Sequence, residues 1–180
     1  YSAGSRVKVL LKEIERGNRG PQLILSRAST GFIKLLFASE VPEIETGAVE
    51  IKIIAREAGR RSKIAVVSNV PGVEPVGTFV GSHGTSIKAV MNEVGDQEKI
   101  DIISYNDDIQ TFIKAALSPA EVQKIEIVSD KEGDKRAKVF VNEDQQSIAI
   151  GRGGQNVRLA SQLTGYELDI ETATKPVAKP

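Results

Sequence analysis

Cysteine and tryptophan are absent from the 180 residues, and histidine occurs once. Without thiols there is no disulfide framework and no thiolate chemistry, and one imidazole cannot build a His- or Cys-based zinc site. No apolar run approaches the roughly 20 residues that a membrane-spanning helix needs, and the opening residues lack the hydrophobic stretch of a signal peptide. The chain therefore reads as soluble, cytoplasmic and without membrane contact. Aromatic residues are only 4% of the total, too few for a surface that grips nucleic acid chiefly by stacking bases. Net charge is missing too, since 24 basic side chains balance 24 acidic ones. That balance argues against binding dominated by long-range attraction to duplex phosphates.

What the chain does contain is 40% hydrophobic residues, enough for one ordinary core or two small ones, and two compact units are the expectation. Its charge is unevenly placed. Residues 1–30 carry six basic and two acidic side chains and residues 48–65 carry five and two, whereas 93–108 holds six acidic and one basic. Such segregation lets one side of a molecule attract a polyanion while another meets a different partner.

Residues 5–14 and 21–26 alternate as two strands around Gly17-Asn18-Arg19-Gly20. A lone hairpin cannot close a core, so residues 1–29 read as the remnant of an upstream domain. From Ser29-Thr30, Phe32, Leu35 and Leu36 start a helical stripe that continues toward Pro42-Glu43-Ile44. Strands at Val49–Arg56 and Ser62–Ser68, a short helix at Val76–Val80, a helix from Thr85 with Ile87, Val90, Met91 and Val94 inward, and a strand at Lys99–Ser104 complete a first unit, 30–105. Asp107 or Asp108 then caps a helix carrying Ile109, Phe112, Ile113, Ala116 and Leu117. Strands at Val122–Val128 and Ala137–Val141, helices at Gln145–Ile150 and Asn156–Leu163 and a strand at Tyr166–Ile170 make a second unit, 106–172, followed by a flexible tail, 173–180.

The two units align at an offset of 70: Gly81 with Gly151, Gly84 with Gly154, Ile87 with Val157, Lys88 with Arg158, Gly95 with Gly165. After a two-residue deletion Ile100-Asp101-Ile102 meets Leu168-Asp169-Ile170. Glycines, helix stripe and closing strand repeating together indicate a duplicated unit of the α+β class. In each, helices pack on one face of a three-stranded sheet whose other face can stay solvated. A linker as short as Asn106–Asp108 predicts that the units are fixed against each other.

The repeated feature with chemistry in it is a glycine-framed turn between two helices, Gly81-Ser82-His83-Gly84 and Gly151-Arg152-Gly153-Gly154. Neither has the spacing of a phosphate-binding GxxxxGK[ST] loop or a dinucleotide GxGxxG, and neither follows a long parallel strand. Bare main-chain amides and the start of the next helix instead suit the phosphates of a single strand. One such turn is ordinary geometry; two in register point to nucleic acid. Arg152 sits on the rim, and Lys88 and Arg158 either neutralise the backbone or form a solvated helix face. His83 is an exposed residue or a stacking and phosphate contact. Ser82 and Thr85 add hydroxyl contacts or cap the helix, and Gly153 and Gln155 complete the candidate set. Arg56, Arg60, Arg61 and Lys63 read as a solvated turn or basic edge. Glu93, Asp96, Glu98, Asp101, Asp107 and Asp108 lack the compact spacing of a calcium loop and read as a solvated or protein-docking face. No nucleophile with a partner base is recognisable, so no catalytic residue, metal or cofactor is expected.

The segments FIKLLFASEVPEIETGAVEIKIIAREAGRRSKIAV, PVGTFVGSHGTSIKAVMNEVGDQEKIDI and QQSIAIGRGGQNVRLASQLTGYELDI resemble the tandem KH domains of the bacterial NusA family of transcription elongation and antitermination factors. The opening GSRVKVLLKEIERGNRGPQLILSRAS resembles the end of that family's OB-type barrel. The resemblance implies two tandem prokaryotic-type (type II) KH folds packed as one unit. It also implies a monomer that holds single-stranded nascent RNA and modulates pausing, termination and antitermination, with RNA polymerase and antitermination factors as partners of the full-length protein. It carries RNA contact onto Gly81–Gly84 and Gly151–Gly154; Arg152 meets the family's preference for a basic residue inside the turn, whereas Ser82-His83 is less basic. The alternative is a KH module whose main task is protein docking in a transcription or ribosome-associated complex, with RNA contact secondary.

Overall fold

The computed structural model describes residues 1–95 and 97–173. An antiparallel hairpin opens the chain, β1 (Leu10–Gly17) with β2 (Gly20–Ser26). Its first strand begins at Leu10 rather than at residue 5 and runs on to Gly17.

The first unit comprises α1 (Thr30–Glu40), α2 (Pro42–Glu45), β3 (Val49–Glu57), β4 (Arg61–Ser68), α3 (Pro75–Val80), α4 (Thr85–Val94) and β5 (Lys99–Ser104). The second repeats it with α5 (Ile109–Ala116), β6 (Val122–Lys131), β7 (Asp134–Val141), α6 (Glu143–Ile150), α7 (Gln155–Thr164) and β8 (Glu167–Thr172). Both sheets have the same plan: an antiparallel hairpin, β3-β4 or β6-β7, and a third strand added parallel to its second member. A parallel neighbour needs a crossover, and the helix-turn-helix segments α3-α4 and α6-α7 supply it.

Local chemistry sets the helix starts. Ser29 Oγ accepts from the Phe32 N–H and Asp108 from the Thr111 N–H, while Glu74 accepts from Val76 and Gly77 beside Pro75. Each satisfies a donor the helix cannot, worth about 1 kcal/mol. On α1 the buried stripe is Phe32, Ile33, Leu36 and Phe37, while Leu35, expected inside, is 56% exposed. The stripe lies one position away from it because Ile33 and Phe37 pair across a turn.

Strand alternation gives the first sheet two buried faces. Ile64, Val66 and Ile100 face α1, α3 and α4, with the Phe37 and Phe79 rings tilted against each other in that core, centroids 5.5 Å apart. Ala55, Ala65 and Ile103 point the other way, into a core shared with Phe112, Ala116, Leu159 and Leu163 of the second unit. The expectation of a solvated outer face is corrected here: α5 and α7 cover it, and the alanines let them approach closely. Lys63 lies on that same face, buried, its Nζ donating to Asp101 Oδ2 (3.1 Å) and to the Ser118 carbonyl of the second unit (2.8 Å). Burial pushes the Lys63 ammonium pKa down against the opposing pull of Asp101.

The basic edge and acidic face read from sequence are also corrected. Arg56 and Glu98 form a buried two-point pair, Nε to Oε1 at 2.7 Å and Nη2 to Oε2 at 3.0 Å. Arg61 and Lys63 both engage Asp101, Glu93 holds Arg27, and Asp108 caps α5. The pairing of β4 with β5 brings Asp101 to Arg61 and Lys63, far apart in sequence. Asp96 lies outside the described residues, as does the tail beyond residue 173.

Candidate nucleic-acid interface

Both glycine turns have one backbone form. Gly81 and Gly151 end α3 and α6 with φ/ψ of 77/167° and 76/169°. A short 3-10 turn follows; its middle residue, His83 or Gly153, is left-handed (φ 53° and 61°), and Gly84 and Gly154 are left-handed again at 75° and 74°. This path turns the chain sharply into α4 and α7.

The glycine requirement is steepest at the first position. A Cβ on Gly81 would lie 2.5 Å from Ser86 Oγ and 2.9 Å from its nitrogen; on Gly151 it would lie 2.8 Å from Asn156 N. At Gly153 a Cβ meets nothing within 4 Å, which is why His83 can occupy the equivalent place. Asn156, a residue the motif reading overlooked, is buried and donates from Nδ2 to Leu117 O (3.0 Å) and Ala149 O (3.1 Å). It ties the ends of α5 and α6 to the start of α7. The offset of 70 pairs it with Ser86, so the signal for it was a small polar residue two places after each closing glycine.

Within the turns Gly84 and Gly154 donate back to Gly81 and Gly151, and Thr85 and Gln155 to Ser82 and Arg152. The N–H groups of Ser82, His83, Arg152 and Gly153 have no acceptor among the described residues, and all four residues are exposed. Four uncovered donors therefore stand at two helix entrances. Thr85, exposed, opens α4 without a side-chain cap on the turn.

The basic residues one turn into each helix clasp the loops. Lys88 Nζ donates to the His83 carbonyl at 3.3 Å and Arg158 Nη1 to the Gly153 carbonyl at 3.1 Å. Arg158 Nε also meets Glu57 Oε1 of the first unit at 2.6 Å, and Gln155 Nε2 meets Glu57 Oε2 at 3.1 Å. Those two contacts hold the Glu57 carboxyl below the usual carboxylate range, the Arg158 bond being the larger cause. Thus Lys88, Gln155 and Arg158 brace the turns, and the last two also lock one unit to the other.

Arg152 opens onto a cleft of about 640 Å³ between the units, lined by Gly59, Arg60, Arg61, Gln97, Lys99, Arg152, Gly153 and Gln155. Arg60 and Arg61 read in sequence as a solvated turn or a basic edge; only the docking of the units brings Arg152 beside them. Among the described residues no cluster of His, Cys, Asp or Glu could hold a metal, and no helix is long and apolar enough to cross a membrane.

The family model described as NusA-like first KH domain matches residues 27–105, and that for the NusA-like second KH domain matches residues 109–177. The chain belongs to the NusA-like tandem KH family. Among its relatives, the Thermus thermophilus transcription termination/antitermination protein NusA is 52% identical over 173 residues, covering 96% of this chain and 44% of that protein. The Bacillus subtilis protein of the same name is 45% identical over 174 residues, 97% of this chain and 46% of its own length. That of Mycobacterium tuberculosis is 44% identical over 176 residues, 98% and 50%. The chain thus spans about half the length of the curated NusA relatives it matches. Among solved structures, the crystal structure of APE1850 superposes with a TM-score of 0.55 at 25% identity, over 77% of this chain and 95% of that one. The NusA-like architecture accounts for the repeated sheets, each with its own unit's helices on one face, and for the preceding hairpin.

Proposed function

We propose that this chain is a single-stranded RNA-holding module of a cytoplasmic transcription factor. Its two turns grip the backbone of nascent RNA, and the rest of the full-length protein couples that grip to pausing, termination and antitermination by RNA polymerase. The observation that carries this reading is the pair of exposed turns with four amides that have no acceptor among the described residues, built alike on units joined through a shared core. Amide donors at helix entrances suit phosphate oxygens, and a rigid pair engages one strand with less entropic loss than two tethered modules. The relatives' printed names place them in termination and antitermination. The candidate contacts remain Gly81, Ser82, His83, Gly84, Thr85, Lys88, Gly151, Arg152, Gly153, Gly154, Gln155 and Arg158. Holding RNA involves no covalent step. The docking alternative is left with less surface, since Glu93, Glu98, Asp101 and Asp108 are engaged within the fold.

Fluorescence anisotropy with labelled RNA tests the proposal. The chain is expected to bind a short single strand well ahead of the same sequence in a duplex, and to leave the RNA intact after long incubation. Equal affinity for duplex, or no binding, contradicts it; cleavage or modification of the RNA replaces it with an enzyme.

A further inference from the structure

The cleft between the units contains more positive charge than the fold uses. Four cations converge there: Arg60 from the β3-β4 turn, Arg61 at the start of β4, Lys99 at the start of β5, and Arg152 from the second unit's glycine turn. Arg61 is paired, its Nη2 lying 2.8 Å from Asp101 Oδ2. Arg60, Lys99 and Arg152 form no ion pair with any described residue, and all three are exposed. The described carboxylates nearby are already engaged: Glu57 with Arg158 and Gln155, Glu98 with Arg56, and Asp101 with Arg61 and Lys63. Like charges brought together by domain docking repel one another, so a cleft with three cations that have no ion pair among the described residues suits an anion from outside.

Its position selects the anion. Helix α4 begins at the first glycine turn and ends at Val94, just before Gln97 and Lys99 enter the cleft wall. Ten residues of helix span about 15 Å. The second turn lines the cleft itself through Arg152 and Gly153. A strand leaving the first turn along α4 therefore reaches the cleft before it reaches the second turn. Gly59 and Gly153 on the walls carry no side chain, and a Cβ at either would meet nothing within 4 Å, so a sugar-phosphate backbone can come close.

We propose that this cleft is a bridging site that holds the RNA phosphates crossing from the first unit to the second, with Arg60 and Lys99 of the first unit and Arg152 of the second as its cationic contacts. The site rests on the RNA-binding reading and adds residues outside both glycine motifs. It makes binding of longer strands depend on the junction, whereas a strand short enough for one turn does not use it.

The test compares the chain with Arg60→Ala/Lys99→Ala, and with a charge-matched control, Lys34→Ala/Lys114→Ala, whose residues are exposed on α1 and α5 and absent from the cleft wall. Random-sequence single strands of about 4 nucleotides, matched to one KH turn, and about 12, long enough for both, serve as probes. For the longer RNA the cleft variant is expected to lose about tenfold in affinity, and its log-log salt slope to flatten by roughly 0.7 for each phosphate contact removed. The shorter RNA should lose less than about twofold, and the control should stay close to the parent for both. An unchanged affinity and salt slope for the longer RNA, or an equal loss in the control, overturns the bridging site while leaving RNA binding by the turns intact. Failure of the parent chain to bind either RNA overturns both readings. Displacement of the longer RNA by polyglutamate as effectively as by unlabelled RNA assigns the cleft to an acidic protein instead.

Discussion

Glu98→Ala is expected to cost about 3–5 kcal/mol of stability, because it leaves the Arg56 guanidinium buried without its counter-charge. The carboxylate is 1% exposed and gathers four donors: two from Arg56, the Gly59 N–H at 2.9 Å and Ser62 Oγ at 2.8 Å. Arg56 Nη1 also reaches the Ser29 carbonyl at 2.7 Å, so the pair joins the α1 cap, the β3-β4 turn and the entry to β5. Against a typical domain stability of about 5–15 kcal/mol, the loss should move the urea midpoint far down. Replacing both partners with apolar residues, Arg56→Met/Glu98→Leu, should recover much of it, since no orphaned charge remains. A single variant no weaker than an ordinary surface change would show that the pair does not hold the fold together.

The same group sets an acid limit. Burial pushes the Glu98 carboxyl up, but the bonds from Arg56, Gly59 and Ser62 outweigh it and hold the carboxyl below the ordinary value near 4.5. A carboxylate with a lowered folded-state value stabilises fully above the unfolded value. That contribution fades as pH falls from there through the folded one. Unfolding curves should therefore weaken below about pH 4.5, and less steeply in Arg56→Met/Glu98→Leu.

The largest functional effect is expected from acidic residues in the middle of both turns: Ser82→Asp/His83→Asp with Arg152→Asp/Gly153→Asp. These positions are exposed, and position 153 has open space for a side chain. Aspartate also tolerates the left-handed conformation found there better than most residues. The new carboxylates would face the phosphates that the free amides would otherwise meet. Altering one turn alone should cost on the order of 100-fold in affinity for a strand long enough for both, because a rigid two-point grip becomes a single one. Altering both should abolish binding while the chain stays folded, with a stability loss of about 1–2 kcal/mol from the left-handed position of Gly153. Aspartate at Gly81 or Gly151 is a poorer test, since its Cβ would press on Ser86 or Asn156 and disturb the turn itself.

Much of this fold is legible in sequence because its signals are local. Gly81 and Gly84 recurring as Gly151 and Gly154, the Ile87 and Val157 stripes and the closing β5 and β8 strands mark the duplication directly. Strand ends were less legible. β6 extends to Lys131 and β7 begins at Asp134, because backbone pairing continues through polar residues that lack an alternating pattern. The roles of Arg56, Lys63, Glu98 and Asp101 were hidden for a different reason: each is polar and looks solvated until β4 and β5 lie side by side. The cleft was hidden more deeply still, since Arg60 and Lys99 meet Arg152 only after α7 settles on β3. Sequence showed the turns, while the surface between them is a product of docking.

Amide-resolved NMR during titration with a single-stranded RNA of about 12 nucleotides, long enough to engage both KH turns, decides whether the two turns hold one strand. The amide signals of Ser82, His83, Arg152 and Gly153 are expected to shift together, at the same RNA concentrations. Shifts confined to one turn, or both turns silent while signals elsewhere move, would contradict it.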